Sequence, residues 1–178
     1  ALMEIQASRL PARVDREGAP VLLLDQDRGR WDRLLIQRGF DALARAERLG
    51  GAFGPYALQA AIAACHARAH TADATDWNRI ATLYAALAQV HPSPVVELNR
   101  AVAVSMATGP ASALPLVDRL MEEPAMKQYH LLPSVRGHLL FKLDRRDEAR
   151  VEFERAAALT RNAREQALLL ARARDCMA

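Results

Sequence analysis

Cysteine is nearly missing from this 178-residue chain, which holds only Cys65 and Cys176. Two thiols so far apart make neither a disulfide framework nor a zinc pattern, and they fit a reducing, cytoplasmic setting. Aromatic residues are also scarce, at 5%. A chain poor in aromatics and dominated by Ala and Leu favours helix over strand, because small and straight-chain side chains lose little rotamer freedom in a helix. No secretory leader is expected from these residues, and no apolar run is long enough to span a bilayer. Charge of one sign is gathered nowhere: 24 Lys and Arg are interspersed with 21 Asp and Glu, for a net charge of +3. Nucleic-acid-binding faces concentrate their basic residues, so direct nucleic-acid contact is not expected. Gly50-Gly51 lacks the companions of a phosphate-binding loop. No Ser-His-Asp arrangement can be argued, so neither catalysis nor a cofactor is expected.

What the chain does have is helical periodicity, with 51% hydrophobic and 25% charged residues, ordinary values for a packed domain. Its opening residues, Ala1 to Leu10, read as the end of an amphipathic helix with no N-cap in front, as if an N-terminal part had been removed. Residues 12–20 are turn-rich, Val21 to Leu24 form a short extended or buried apolar run, and Asp25 to Arg30 form a charged loop. Trp31 opens the next helical pattern, with Leu34, Leu35, Phe40 and Leu43, ended by Gly50-Gly51. Helices are then predicted over about 55–70, 76–90, 94–108, 110–121, 128–142, 147–160 and 162–175. Ser93 and Pro94 suit the cap and first position of the fourth of the chain's longer helices. Asn162 and Glu165 have capping-box spacing. Pro115 falls inside a predicted helix, where it removes a backbone bond and predicts a late start or a kink.

Residues 94–124 align on 130–160 with a period of 36, which places Arg100 on Arg136, Ala101 on Gly137, Ala113 on Ala149 and Val117 on Phe153. Two helices per unit at that period mark a helical repeat array. The second unit resembles the tetratricopeptide repeat: Gly137 is small enough for close helix approach, Leu140 follows, and Ala149-x-x-x-Phe153-x-x-Ala156 forms the second helix. Helices 55–70 and 76–90 make a more degenerate third pair. The expected fold is all-α, a tetratricopeptide-like array of antiparallel helix hairpins wound as a right-handed superhelix. A segment over 1–53 precedes a repeat region over 54–178, the last helix acting as a cap. Such arrays offer a concave surface to partners.

A more specific resemblance follows from five strings in order. They are Asp25-Gln26-Asp27-Arg28-x-x-Trp31-Asp32, the run from Gly54 to Ala67, Pro92-Ser93-Pro94-Val95-Val96-x-Leu98-Asn99-Arg100-Ala101, the run from Tyr129 to Gly137, and Phe153-x-x-Ala156-x-x-Leu159-Thr160-x-Asn162. Over its whole length the chain resembles the C-terminal extension of a group of bacterial extracytoplasmic-function (ECF) RNA polymerase sigma factors. The resemblance implies that promoter and polymerase binding belong to two N-terminal sigma domains that this chain lacks. It also implies that the extension controls or assists them.

Three groups of residues are candidates for function. Gln59, His66, Asn99, Arg100 and Arg136 would lie on first helices lining the concave face, where two guanidiniums could hold a carboxylate or an acidic peptide. The plain alternative is that each arginine ties helices together through Glu97, Asp118 or backbone carbonyls. Asp25, Asp27, Arg28 and Trp31 form the second group, a loop that would face the sigma domains, with Arg28 or Arg33 pairing the carboxylates and Trp31 as anchor. Calcium does not suit that loop: Gly29 and Arg30 fill its fifth and sixth positions and Ile36 its last. In the third, Cys65, His66 and His70 share a predicted helix, but a zinc site needs further ligands, so no metal is expected. The reading is a regulatory protein-interaction domain whose partner is its own sigma domains, the polymerase core or a regulator protein, with no membrane contact. A helical domain sensing a small molecule is the alternative.

Overall fold

The structure, a computed structural model, describes residues 1–177 and holds nine α-helices among them. They are α1 (Leu2–Ala7), α2 (Arg33–Arg48), α3 (Pro55–Arg68), α4 (Trp77–Val90), α5 (Pro94–Thr108), α6 (Pro110–Leu120), α7 (Leu131–Lys142), α8 (Arg146–Leu159) and α9 (Ala163–Asp175). No strand occurs among the described residues; a single bridge joins Val14 and Pro20. The all-α hairpin fold expected from the sequence is the fold observed. No helix among the described residues is long and apolar enough to cross a membrane.

The chain forms two compact units, residues 1–92 and 93–178. This division differs from the 1–53 and 54–178 read from the repeat, because α3 packs on α1 and α2 as well as on α4. Eight of its 14 residues are buried, four of them the alanines Ala60, Ala63, Ala64 and Ala67. A helix with so little side-chain bulk can be approached from several sides at once. Gly39 allows a second close approach: a Cβ there would run into Ile5 Cγ1, and Ile5 is fully buried.

Two local expectations in this unit are corrected. Trp31 precedes α2 instead of opening it, and Asp32 caps the helix by accepting from Leu35 N at 3.0 Å. The buried face of α2 is Ile36, Gly39 and Leu43, while Leu34 is exposed. The apolar run from Val21 to Leu24 forms no strand and is buried only in part: Leu23 packs against the core of the unit, while Leu22 and Leu24 are exposed.

In the second unit each helix from α5 to α9 packs on the next. Gly137 shows why α7 and α8 can do so. A Cβ at that position would meet the Phe153 ring at 3.0 Å and the Ala149 carbonyl oxygen at 3.2 Å. Ala101, Ala113 and Val117, the residues one period earlier, are fully buried, as are Ala149 and Ala156. The α7–α8 turn is closed by Asp144 in left-handed geometry (φ 58°), with Asp144 N donating to Phe141 O and Arg145 N to Leu140 O, both at 3.0 Å. This double bond pattern satisfies carbonyls the helix end leaves open.

Capping follows the sequence in part. Asn162 caps α9 by accepting from Arg164 N and Glu165 N, but Glu165 turns to the Thr160 hydroxyl, which donates at 2.8 Å. Ser93 holds the cap position of α5 without a side-chain cap bond. Pro115 neither delays nor interrupts α6, which is assigned from Pro110 to Leu120. Ala111 and Pro115 are both exposed, so the carbonyl that loses its donor faces water.

Phe153 is 2% exposed and lies between neighbouring helices of the unit. Phe153→Ala is expected to lower unfolding free energy by about 3–5 kcal/mol. Urea denaturation followed by circular dichroism measures this directly; a loss below about 1 kcal/mol would mean that the ring does not fill the core.

Candidate functional site

The loop over residues 25–32 is organised by its aspartates acting on the backbone. Asp27 accepts from Gly29 N at 2.8 Å and starts a 3-10 turn over Arg28–Arg30, just as Asp32 starts α2. Neither needs an arginine partner for this, which corrects the expected pairing of these carboxylates by Arg28 or Arg33. Arg28 points inward instead and is 4% exposed. Its Nη1 donates to the carbonyls of His66 and Ala69 at 2.9 and 3.0 Å, and its Nη2 to the Thr75 hydroxyl at 2.9 Å. Ala69 is the C-cap of α3. A helix C-terminus leaves carbonyls without donors and carries partial negative charge, so a guanidinium there satisfies both deficits.

Trp31 is buried beneath this arrangement, with the guanidinium carbons of Arg9 and Arg28 lying 5.5 and 5.4 Å from its ring centroid. Such a spacing suits cation–π attraction. Asp25 is exposed. His66 is buried with its ring edge-on to Trp77, centroids 5.2 Å apart. Burial, and then the positive charges of Arg28 and Arg9, push its pKa down to about 4. Three buried polar atoms here, Arg28 Nε, Trp31 Nε1 and His66 Nδ1, have no protein hydrogen-bond partner among the described residues. His70 lies beyond the end of α3, so it does not share a helix with His66 and Cys65. Among the described residues no group of three or more His, Cys, Asp or Glu side chains could hold a metal ion.

The other predicted site residues divide between the two units. Gln59 lies half-buried on α3 of the first, together with His66. Asn99 and Arg100 lie on α5 and Arg136 on α7 of the second, with Asn99 exposed. Arg100 bonds within its own helix, its Nε and Nη2 reaching Glu97 at 2.8 and 2.7 Å. Arg136 spans three helices: Nε donates to Asp118 on α6 at 2.8 Å and Nη1 to Glu152 on α8 at 2.9 Å. Burial pulls the Arg136 pKa down, but the hydrogen bonds it donates to these carboxylates, together with their charge, hold it above its usual value. Arg136 therefore carries the structural role of tying helices.

Thr75 and the α3 carbonyls were missed as partners of Arg28. They lie 38 to 47 residues away in sequence, beyond any local spacing. Glu152 carried a readable signal, sitting 16 residues from Arg136 on the partner helix of the same hairpin.

Residues 1–47 match a family of unknown function, DUF6596. Over 169 residues the chain is 48% identical to an uncharacterized protein of Rhizobium meliloti (strain 1021), a match that covers 95% of this chain and 39% of that protein. The chain thus spans well under half the length of this relative. No solved structure matches it.

The buried imidazole sets a pH dependence. The folded chain resists protonating His66 until about pH 4, whereas the unfolded chain takes up the proton near 6.5. Its contribution is therefore complete above about pH 6.5, is lost as pH falls through the window, and is gone by about pH 4, for a total near 3 kcal/mol. Thermal melts at pH 7 and 4.5 should show a smaller drop in stability for His66→Gln than for the native chain. Equal drops would mean that the imidazole is not held neutral.

Proposed function

We propose that this chain is a regulatory protein-interaction domain of an ECF sigma factor, acting in transcription initiation. Promoter and polymerase binding reside, on this reading, in sigma domains outside the 178 residues. The observation that carries it is the hairpin interlock of the second unit, in which Gly137, Ala149 and Phe153 pack as the tetratricopeptide pattern requires. Helical hairpins that bury one continuous spine leave their outer helix faces free for another polypeptide. The sigma assignment is supported by the five ordered strings. The longer relative is compatible with it, since 61% of that protein lies outside the match.

The partner is the sigma domains themselves, the polymerase core or a regulator protein. Within the second unit, Asn99 and Arg100 are the predicted residues best suited to contact it, because Asn99 is exposed and Arg100, among the described residues, makes an ion pair within its own helix alone. Arg136 is less suited, given its ties to Asp118 and Glu152.

The purified chain should capture ECF sigma domains or core polymerase in a pull-down. Arg100→Glu should weaken that capture about tenfold with an unchanged melting temperature, since a surface ion pair contributes little to folding. Undiminished capture by the variant would remove Arg100 from the contact. Failure to capture either protein would count against the sigma-factor reading.

A further inference from the structure

The second unit also contains a cleft that none of the predicted site residues line. It is lined by His138 and Phe141 of α7, Phe153 of α8, and Arg172 and Asp175 of α9. Its volume is about 240 Å³. That is below the roughly 300–1,000 Å³ typical of small-molecule and cofactor pockets, and it suits a single large side chain better than a metabolite. Phe141 is 37% exposed at the edge, an apolar surface open to an incoming group.

The charges around the cleft leave a small positive surplus. Arg172 lines the cleft and Lys142 follows Phe141 at the end of α7. Neither makes an ion pair with a carboxylate among the described residues. The guanidinium of Arg146 stands 5.4 Å from the Phe141 ring centroid, with Asp144 as its ion-pair partner. Asp175 is the one acid in the lining. The His138 imidazole senses this surplus: its pKa is lowered first by loss of surrounding water, then by Lys142 and Arg172.

A partly exposed phenylalanine beside two cations without ion-pair partners among the described residues, Arg172 and Lys142, fits a complementary partner, one bulky apolar group flanked by carboxylates. We propose that the cleft between α7 and α9 is a docking site for a short acidic peptide segment. One aromatic or large aliphatic side chain of the segment sits over Phe141 and Phe153, and its carboxylates face Lys142 and Arg172. A nucleic acid is disfavoured, because two or three cations with an aspartate among them give a weak phosphate footprint and the cleft admits one side chain only. The inference rests on reading the chain as an interaction domain, and it names the chemistry of the partner.

The test is fluorescence anisotropy of a labelled peptide, Asp-Glu-Glu-Phe-Asp-Glu, titrated with the whole 178-residue chain at low salt. Saturable binding is expected, weakened about tenfold by Arg172→Glu and by Lys142→Glu, and by the same peptide with Ser in place of Phe. Arg48→Glu in the first unit serves as the control and should leave affinity unchanged. Arg172→Gln and Lys142→Gln test the same contacts if charge reversal disturbs folding. Binding that ignores the cleft variants, or that survives loss of the peptide phenyl group, would overturn the proposal. So would tighter binding of a single-stranded oligonucleotide, or self-association in sedimentation that Arg172→Glu abolishes. Loss of the peptide result while sigma domains are still captured would discard the cleft and leave the interaction-domain reading standing.

Discussion

At Gly137 the backbone of α7 and the ring of Phe153 come so close that even a methyl group between them would press on the ring at 3.0 Å, and the packing of the second unit follows from that approach. The glycine brings the two helices of the hairpin together, Phe153 fills the space that remains, and Ala149 and Ala156 keep the rest of the contact thin. With the α7–α8 spacing set, Arg136 can reach both Asp118 and Glu152, and the left-handed turn at Asp144 returns the chain over so short a gap. Phe153 also lines the cleft between α7 and α9, so the ring that supports the fold takes part in the surface proposed to act.

The first unit solves a similar problem by other means. Its central helix, α3, buries four alanines, so neighbours can pack on several of its sides, and Gly39 lets Ile5 in at full burial. The open carbonyls at the end of α3 are then closed by Arg28, brought in from a distant loop. Burial keeps the His66 imidazole neutral, and the positive charge that Arg28 places beside it adds to that effect, a link between helix termination and titration.

Features set by local spacing were legible in the sequence. Gly137, Ala149, Phe153 and Ala156 announce their roles because helix approach depends on size at fixed intervals, and Asn162 announces a cap because its side chain bonds backbone two and three residues on. Features that depend on which elements meet were not legible. The partners of Arg28 are far along the chain, and the buried face of α2 runs through Ile36 and Gly39, with Leu34 left outside, because α1 and α3 choose which side is covered. Pro115 misled for a similar reason: a proline disrupts a helix less when the carbonyl it orphans can face solvent. Of the candidate residues, Arg136 could be recognised as important from its place in the repeat, but only the positions of Asp118 and Glu152 reveal that it binds helices together.

The central claim is that Gly137 and Phe153 are in direct, close contact, and a double-mutant cycle with Gly137→Ala and Phe153→Leu tests it. If the contact holds, the steric cost of Gly137→Ala offsets the about 1 kcal/mol that alanine gains over glycine inside a helix, and the variant becomes more favourable by about 0.5–3 kcal/mol when the ring is replaced by the smaller leucine. Additive effects, with the alanine costing as much beside leucine as beside phenylalanine, would contradict the account.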